Sequence, residues 1–505
     1  MTPSHRRRAG VCMHITSLPG PHGVGTIGAP ARWFVDQMVR MGLTLWQVLP
    51  TGPTGYGDSP YQLLSVFAGN PMLIDLPTLR DEGLLSDAEL AQLPAGAPNE
   101  VQFGELIDAR GKLLQRAAQR FLEHAGPERV AAFDAFIAEH ETLWLGDYAV
   151  YRVIKDAHQK APWYDWSEPL ARGDRAACDA VRRATPNAVQ HQKIVQFLFF
   201  EQWQALRQYA ARKGVKLMGD APIYVAMDSA DTWSRPDLFQ LNDRSRPTAV
   251  GGVPPDYFSA DGQLWGNPLY DWPSHVDNGF DWWIARVRHC AMLTDLVRID
   301  HFRGFESYWS IPPDESTARN GQWIEAPGYQ LFDALSRAFE SLPIIAEDLG
   351  VITDEVNALR QHYALPGMAV LQFLLDEEHF HPDHIAEDRV CYTGTHDNDT
   401  TVSWFAGDAE GAANNDPLRQ RVLALTGGDA DNVHIDLIRM AFNSRARYAI
   451  APMQDFLGLP TYARFNTPGT TNGNWRWRLT TDQIDQALVE QVSQLVRDSG
   501  RGDHH

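Results

Sequence analysis

The sequence predicts an α/β fold, a (β/α)8 TIM barrel. Two observations point to it. Eight short apolar, β-rich runs stand along the chain, and runs of this kind that end at Gly, Pro or Asp are the expected strand signal. Helical patterns, such as those at 198–213 and 328–341, follow many of them. In order, the strand candidates are 10–16 (GVCMHIT), 43–50 (LTLWQVLP), 216–226 (KLMGDAPIYVA), 294–302 (TDLVRIDHF), 342–350 (LPIIAEDLG), 367–373 (GMAVLQF), 389–397 (RVCYTGTHD) and 446–456 (ARYAIAPMQDF).

Their spacing is uneven. The long gap after the second strand reads as helices, for instance "LIDARGKLLQRAAQRFLEHAG", and residues 78–195 are taken as a mainly helical insertion. A second insertion, 227–275, is rich in Gly, Pro, Asp and aromatics. A loop that long in a compact domain is usually a lid or a binding loop. After the eighth strand comes a helix with Ile484, Leu488, Val492 and Leu495 on one face, so the whole of 1–505 is read as one barrel with insertions. The tail "RGDHH" is expected to be disordered.

Composition excludes several classes. The hydrophobic share is 44%, and no apolar run reaches the length that spans a bilayer. The net charge of −20 repels a phosphate backbone, so no nucleic-acid partner is expected. Four scattered cysteines, Cys12, Cys178, Cys290 and Cys391, suit reduced thiols in a cytoplasm. The basic start "MTPSHRRRAG" precedes a stretch too short and too broken by Pro and Gly for an export signal.

The fourth strand carries chemistry. Alternation puts Thr294, Leu296, Arg298 and Asp300 on one face, and Val297 and Ile299 on the other, against the helices. Arg298 and Asp300 then point into the barrel near the C-terminal strand end, where barrel enzymes build their sites. The guanidinium would keep Asp300 ionised. A structural Arg–Asp pair closing the barrel top is the other reading of this strand. Glu347, His396 with Asp397, and Asp220 end three more strands. Several carboxylates on one rim repel one another and need a chemical reason. Glycoside chemistry needs two, one anionic and one protonated. Glu347 follows the apolar run Ile344-Ile345-Ala346, which favours its protonated form.

These residues sit in motifs that, in this order, resemble the amylomaltases, 4-α-glucanotransferases of the α-amylase superfamily. The resemblance runs through "HITSLPGPHGVGTIG", "LPTGPTGYGDSPYQLLSVFAGNPMLIDL", "GDAPIYVAMDSADTW", "GGVPPDYFSADGQLWGNPLYDW", "LVRIDHFRGFESYW", "IAEDLG" and "YTGTHDNDT", and covers essentially the whole chain. It implies a catalytic barrel without a separate C-terminal β-domain. It implies Asp300 as nucleophile, Glu347 as general acid/base and Asp397 as the third acid, which binds sugar hydroxyls. Arg298, His396, Asp220 and Tyr61 match further sugar-contacting positions. Tyr257, Phe258 and Trp265 are candidate contacts on a loop, 250–270, that arches over the cleft. The implied substrates are α-1,4-glucans and maltooligosaccharides, with no cofactor and no metal.

Alternatives remain beside this reading: an α-1,4-glucan hydrolase, or a carbohydrate-binding protein that keeps the barrel. The first differs only in whether water or a sugar hydroxyl attacks the intermediate. The second has no use for an acid/base pair. Two motifs are set aside. "GVGTIG" at 23–28 has the spacing of a dinucleotide loop, but the next strand ends in Pro50 rather than an acid. "HFHPDH" at 379–384 is broken by Pro382 and reads as a solvated loop rather than a metal site.

Overall fold

The computed structural model describes residues 6–255, 259–407 and 416–502. Eight parallel strands form one sheet: β1 (Arg8–Cys12), β2 (Leu45–Gln47), β3 (Lys216–Ala221), β6 (Leu296–Ile299), β9 (Ile344–Ala346), β10 (Gly367–Val370), β11 (Arg389–Tyr392) and β12 (Tyr448–Pro452). From β1 to β9 and from β10 to β12 each strand pairs with its successor, and β12 returns to pair with β1, Arg8 opposite Tyr448. Between β9 and β10 the curve is bridged by the Ala346 N–H, which donates to the Pro366 carbonyl at 2.8 Å. The Asp348 carboxylate just beyond β9 accepts the Met368 N–H of β10 at 2.7 Å. This is an α/β barrel, and all eight expected strands are present.

The strands are short and apolar on both faces, as parallel strands covered by helices must be. Ile344, Ile345 and Ala346 are all buried, as are Ala449, Ile450 and Ala451. Amphipathic helices such as Ala29–Arg40 and Gly328–Ala338 supply outer apolar faces, with Phe34, Val35 and Met38 buried in the first and Leu331, Phe332 and Leu335 in the second.

Boundaries differ from expectation where chain chemistry changes. Residues 222–226 leave β3, because Pro222 has no N–H for a ladder. The terminal helix is Gln486–Asp498 and buries Val489, Val492, Leu495 and Val496; Ile484 lies before it.

A second, antiparallel sheet was not foreseen. Its order is β5 (Gln263–Pro268), β4 (Val250–Val253), β7 (Ser307–Ile311), β8 (Gln322–Glu325). The stretch "VGGV" lies in the segment read as a loop insertion, and Gly is a poor strand former. Gly252 is there for close approach: a Cβ would lie 2.2 Å from the Gln263 carbonyl oxygen. The long gap after β2 folds as helices, among them Phe103–His124, Pro127–His140 and the longest, Pro186–Arg212, with a π-helical turn at Glu141–Leu145. Among the described residues no helix is long and apolar enough to cross a membrane.

Candidate active site

The strands β3, β6, β9 and β11 deliver the polar residues to one end of the barrel. Asp220 lies opposite Arg298 in the β3–β6 register, and Ile299 opposite Ala346 in the β6–β9 register. Asp300 and Glu347 are the next residues, so they leave neighbouring strands at the same level. Backbone bonds fix that level: the Glu347 N–H donates to the Ile299 carbonyl and the Asp300 N–H to the Ala221 carbonyl, both at 3.0 Å.

Arg298 is the hub. Its Nη1 donates to both oxygens of Asp220 at 2.9 Å, and its Nη2 to Asp300 Oδ1 at 2.9 Å. Its Nε lies 3.4 Å from the sulfur of Met368 on β10. The Asp220 side chain is fully shielded, whereas that of Asp300 is 32% exposed. Burial works against the Arg298 charge, but the carboxylates of Asp220 and Asp300 outweigh it and hold the guanidinium protonated.

Glu347 has a different setting. Burial, and then the negative charge of Asp300, push its carboxyl up to about 7. It accepts the Leu349 N–H at 2.9 Å and the His301 N–H at 2.5 Å. His301 reaches it from a left-handed backbone conformation, with φ of 54°. That turn swings the chain out of β6 just after Asp300. Trp265, on β5, meets the His301 ring edge-on at 4.9 Å.

A third group surrounds His396 and Asp397, in the bend after β11. His396 Nε2 lies 3.4 Å from Asp397 Oδ2. Burial would raise the Asp397 carboxyl, but His396 and a hydrogen bond from Asn466 hold it down at about 2. The reverse balance raises His396: burial pulls it down, and the Asp397 charge more than offsets this. Tyr61 stacks on the His396 ring at 5.0 Å and donates to Asp220 Oδ2 at 2.9 Å, so it ties the third group to the Arg298 hub.

Thus Arg298, Asp300, Asp220, Glu347, Tyr61, His396 and Asp397 converge, and Trp265 joins them through His301. Tyr257 and Phe258 lie outside the described residues. Three participants escaped the sequence reading. Asn466 Nδ2 donates to Asp397 Oδ1 at 2.6 Å, and Arg464 Nη2 to the Asp397 carbonyl at 2.5 Å. Trp475 packs 5.9 Å from His396 and 6.0 Å from Tyr61, with a left-handed φ of 65°. The only advance signal for Asn466 and Trp475 is the turn-rich stretch "FNTPGTTNGNW" after the eighth strand, and Arg464 immediately precedes it.

The two motifs set aside have structural explanations. A Cβ on Gly28 of "GVGTIG" would lie 2.2 Å from the Asp75 carboxyl carbon. The N-terminus of helix Ala29–Arg40 therefore faces the protein's own carboxylate, which Thr26 also holds at 2.5 Å. His381 and Asp383 of "HFHPDH" are exposed.

Comparison with known proteins now settles the family. A family model described as 4-alpha-glucanotransferase matches residues 13–483. The chain belongs to the 4-alpha-glucanotransferase family. It is 45% identical over 486 residues to a 4-alpha-glucanotransferase of Thermus thermophilus, covering 95% of this chain and 96% of the relative. It is 42% identical to one from Synechocystis, covering 99% of each. Among solved structures, amylomaltase from Streptococcus agalactiae in complex with acarbose superposes with a TM-score of 0.94 at 34% identity, covering 99% of this chain and 100% of that one.

Proposed function

We propose that the chain moves α-1,4-glucan segments between maltooligosaccharides by a retaining double displacement. Asp300 attacks the anomeric carbon while Glu347 gives its proton to the departing glycosidic oxygen. The first glucan leaves, and a glucosyl ester on Asp300 remains. Glu347, now a carboxylate, takes the proton of the acceptor's hydroxyl as that oxygen displaces Asp300.

The observation that carries this reading is the contrast between two neighbouring carboxyls. Asp300 has a guanidinium hydrogen bond at 2.9 Å, and Glu347 is held up at about 7. Environments that separate two carboxyls assign the anion and the acid. Spacing supports retention as well: neighbouring strands run about 4.7–4.9 Å apart, and retaining pairs stand about 5–5.5 Å apart. Asp397, anionic and 45% exposed, is suited to accept sugar hydroxyls. Tyr61, stacked on His396, offers a flat face near it, and Trp265 offers one beside His301.

The helices of 78–195 and the 227–275 segment are read as insertions on this one barrel, the second forming a cover over the cleft. A cytoplasmic setting suits the four unbridged cysteines, three of them buried. The negative charge argues against a nucleic-acid partner.

The test is incubation with maltotriose alone. Transfer yields glucose with a ladder of longer maltooligosaccharides, and the number of reducing ends barely changes. A steady rise in reducing ends, with no product longer than the substrate, would instead make the chain a hydrolase. Binding without any change in chain lengths would leave a carbohydrate-binding protein.

A further inference from the structure

Where the helical segment meets the barrel, a second cavity of about 180 Å³ opens, and none of the residues assigned above to the active site line it. A single ordered water needs only roughly 10–15 Å³ on the same measure, so there is room for a multi-atom ligand. Its wall combines aromatic side chains, Phe67, Trp144, Tyr148 and Trp282, with the carboxylates of Asp147, Asp231 and Asp281 and the guanidinium of Arg235. We propose that this cavity is a binding site for a single glucose unit, separate from the catalytic cleft.

Three observations support a sugar. A pyranose has an apolar face for aromatic rings and a rim of hydroxyls for carboxylates, and this wall supplies both. Next, Trp144 Nε1 and Tyr148 OH are buried without a hydrogen-bond partner. Buried polar atoms are rarely left so, and a bound hydroxyl would satisfy them. Finally, Trp144 stands in the π-helical turn Glu141–Leu145, and single π turns are frequent at functional sites.

A cation is disfavoured by Arg235, which stands in the same wall as the three carboxylates. Asp147 is already paired with Arg182 at 3.2 Å. Asp231 accepts the Val66 N–H at 3.0 Å, and burial holds it up at about 6, so it is not a bare anion awaiting a metal. That bond, with the Ala230 N–H donating to the Leu64 carbonyl at 2.8 Å, also ties the cavity wall to the loop that carries Tyr61. The choice of glucose rests on the glucan reading of the cleft; the cavity itself does not.

The experiment uses the full chain with glucose as probe. Crystals soaked in glucose should show a ring against Trp144 and Tyr148. Equilibrium dialysis with labelled glucose counts occupancy in solution. Ser234→Trp, which fills the cavity, should remove one equivalent per chain and leave maltotriose transfer intact. Trp144→Phe with Tyr148→Phe keeps the rings, removes both orphaned donors and should weaken that component about tenfold. An empty cavity in the soaked crystal, or dialysis curves that the folded Ser234→Trp and the double variant leave unchanged, overturns the proposal. Maltotriose left unchanged by the intact chain would count against the glucan reading, whereas glucose seen in the cavity of the soaked crystal would still establish the cavity as a sugar site.

Discussion

Glu347 is a carboxyl that the fold keeps from ionising until about pH 7, although its two hydrogen bonds from backbone N–H groups favour the anion. The proton it holds is the one the proposed reaction needs. So kcat/KM for maltotriose should fall as pH rises through about 7, because that profile reports the free enzyme's acid. Glu347→Gln should lose about 10²–10⁴-fold in rate. The same shift bears on stability. Its folded value of about 7 lies above the ordinary 4.5, so its contribution is fully present below 4.5 and is lost as pH rises through 7. The melting temperature of Glu347→Gln relative to the parent should therefore increase between pH 4.5 and 7. A constant difference across that range would mean that the carboxyl is not shifted. Much of this was legible in the sequence, since Ile344-Ile345-Ala346 announces a desolvated neighbour. Asn466 and Trp475 were not: a loop residue's partner is set by where the loop lands, and no periodicity encodes that.

At the scale of elements, the parallel strands were readable because each is a short apolar, β-rich run. The face of Arg298 and Asp300 was readable too, because strand side chains alternate without exception unless a bulge intervenes. The antiparallel sheet was hidden for the opposite reason. β4 is half glycine and β5 leaves four of its six residues exposed or half-exposed, so neither shows an apolar alternation. The register that pairs Asp220 with Arg298 also carries a prediction. Arg298→Met removes the cation from two carboxylates, one of them fully shielded. Breaking such a pair by removing one partner costs about 3–5 kcal/mol. Urea unfolding at neutral pH should show that loss, and transfer activity should fall with it. If stability were unchanged, the Asp220–Arg298 pair would contribute nothing to holding the barrel.

At the scale of the whole molecule, the two sheets divide the work. The barrel supplies the carboxylates at fixed levels, and the second sheet brings Trp265 against His301, whose N–H holds Glu347. One wall of the site therefore belongs to an element that the barrel does not need for closure. In the proposed double displacement, transfer over hydrolysis is expected to depend on that wall: the glucosyl ester waits for a sugar hydroxyl while water is abundant, and a closed site keeps water out. Placing an acceptor correctly can be worth roughly 7–11 kcal/mol at best, which is enough for a bound glucan to outcompete water. Trp265→Ala opens the wall beside Glu347 without touching a carboxylate. Two outcomes are expected together. The share of reducing ends released per bond cleaved should rise, and the alkaline limb of kcat/KM should move below 7, because water now reaches Glu347. A reducing-end assay run beside product chromatography over a pH series measures both. If the variant kept the parent's product ladder and its pH limb, the second sheet would not be what keeps the intermediate dry, and exclusion of water would have to come from the acceptor glucan itself.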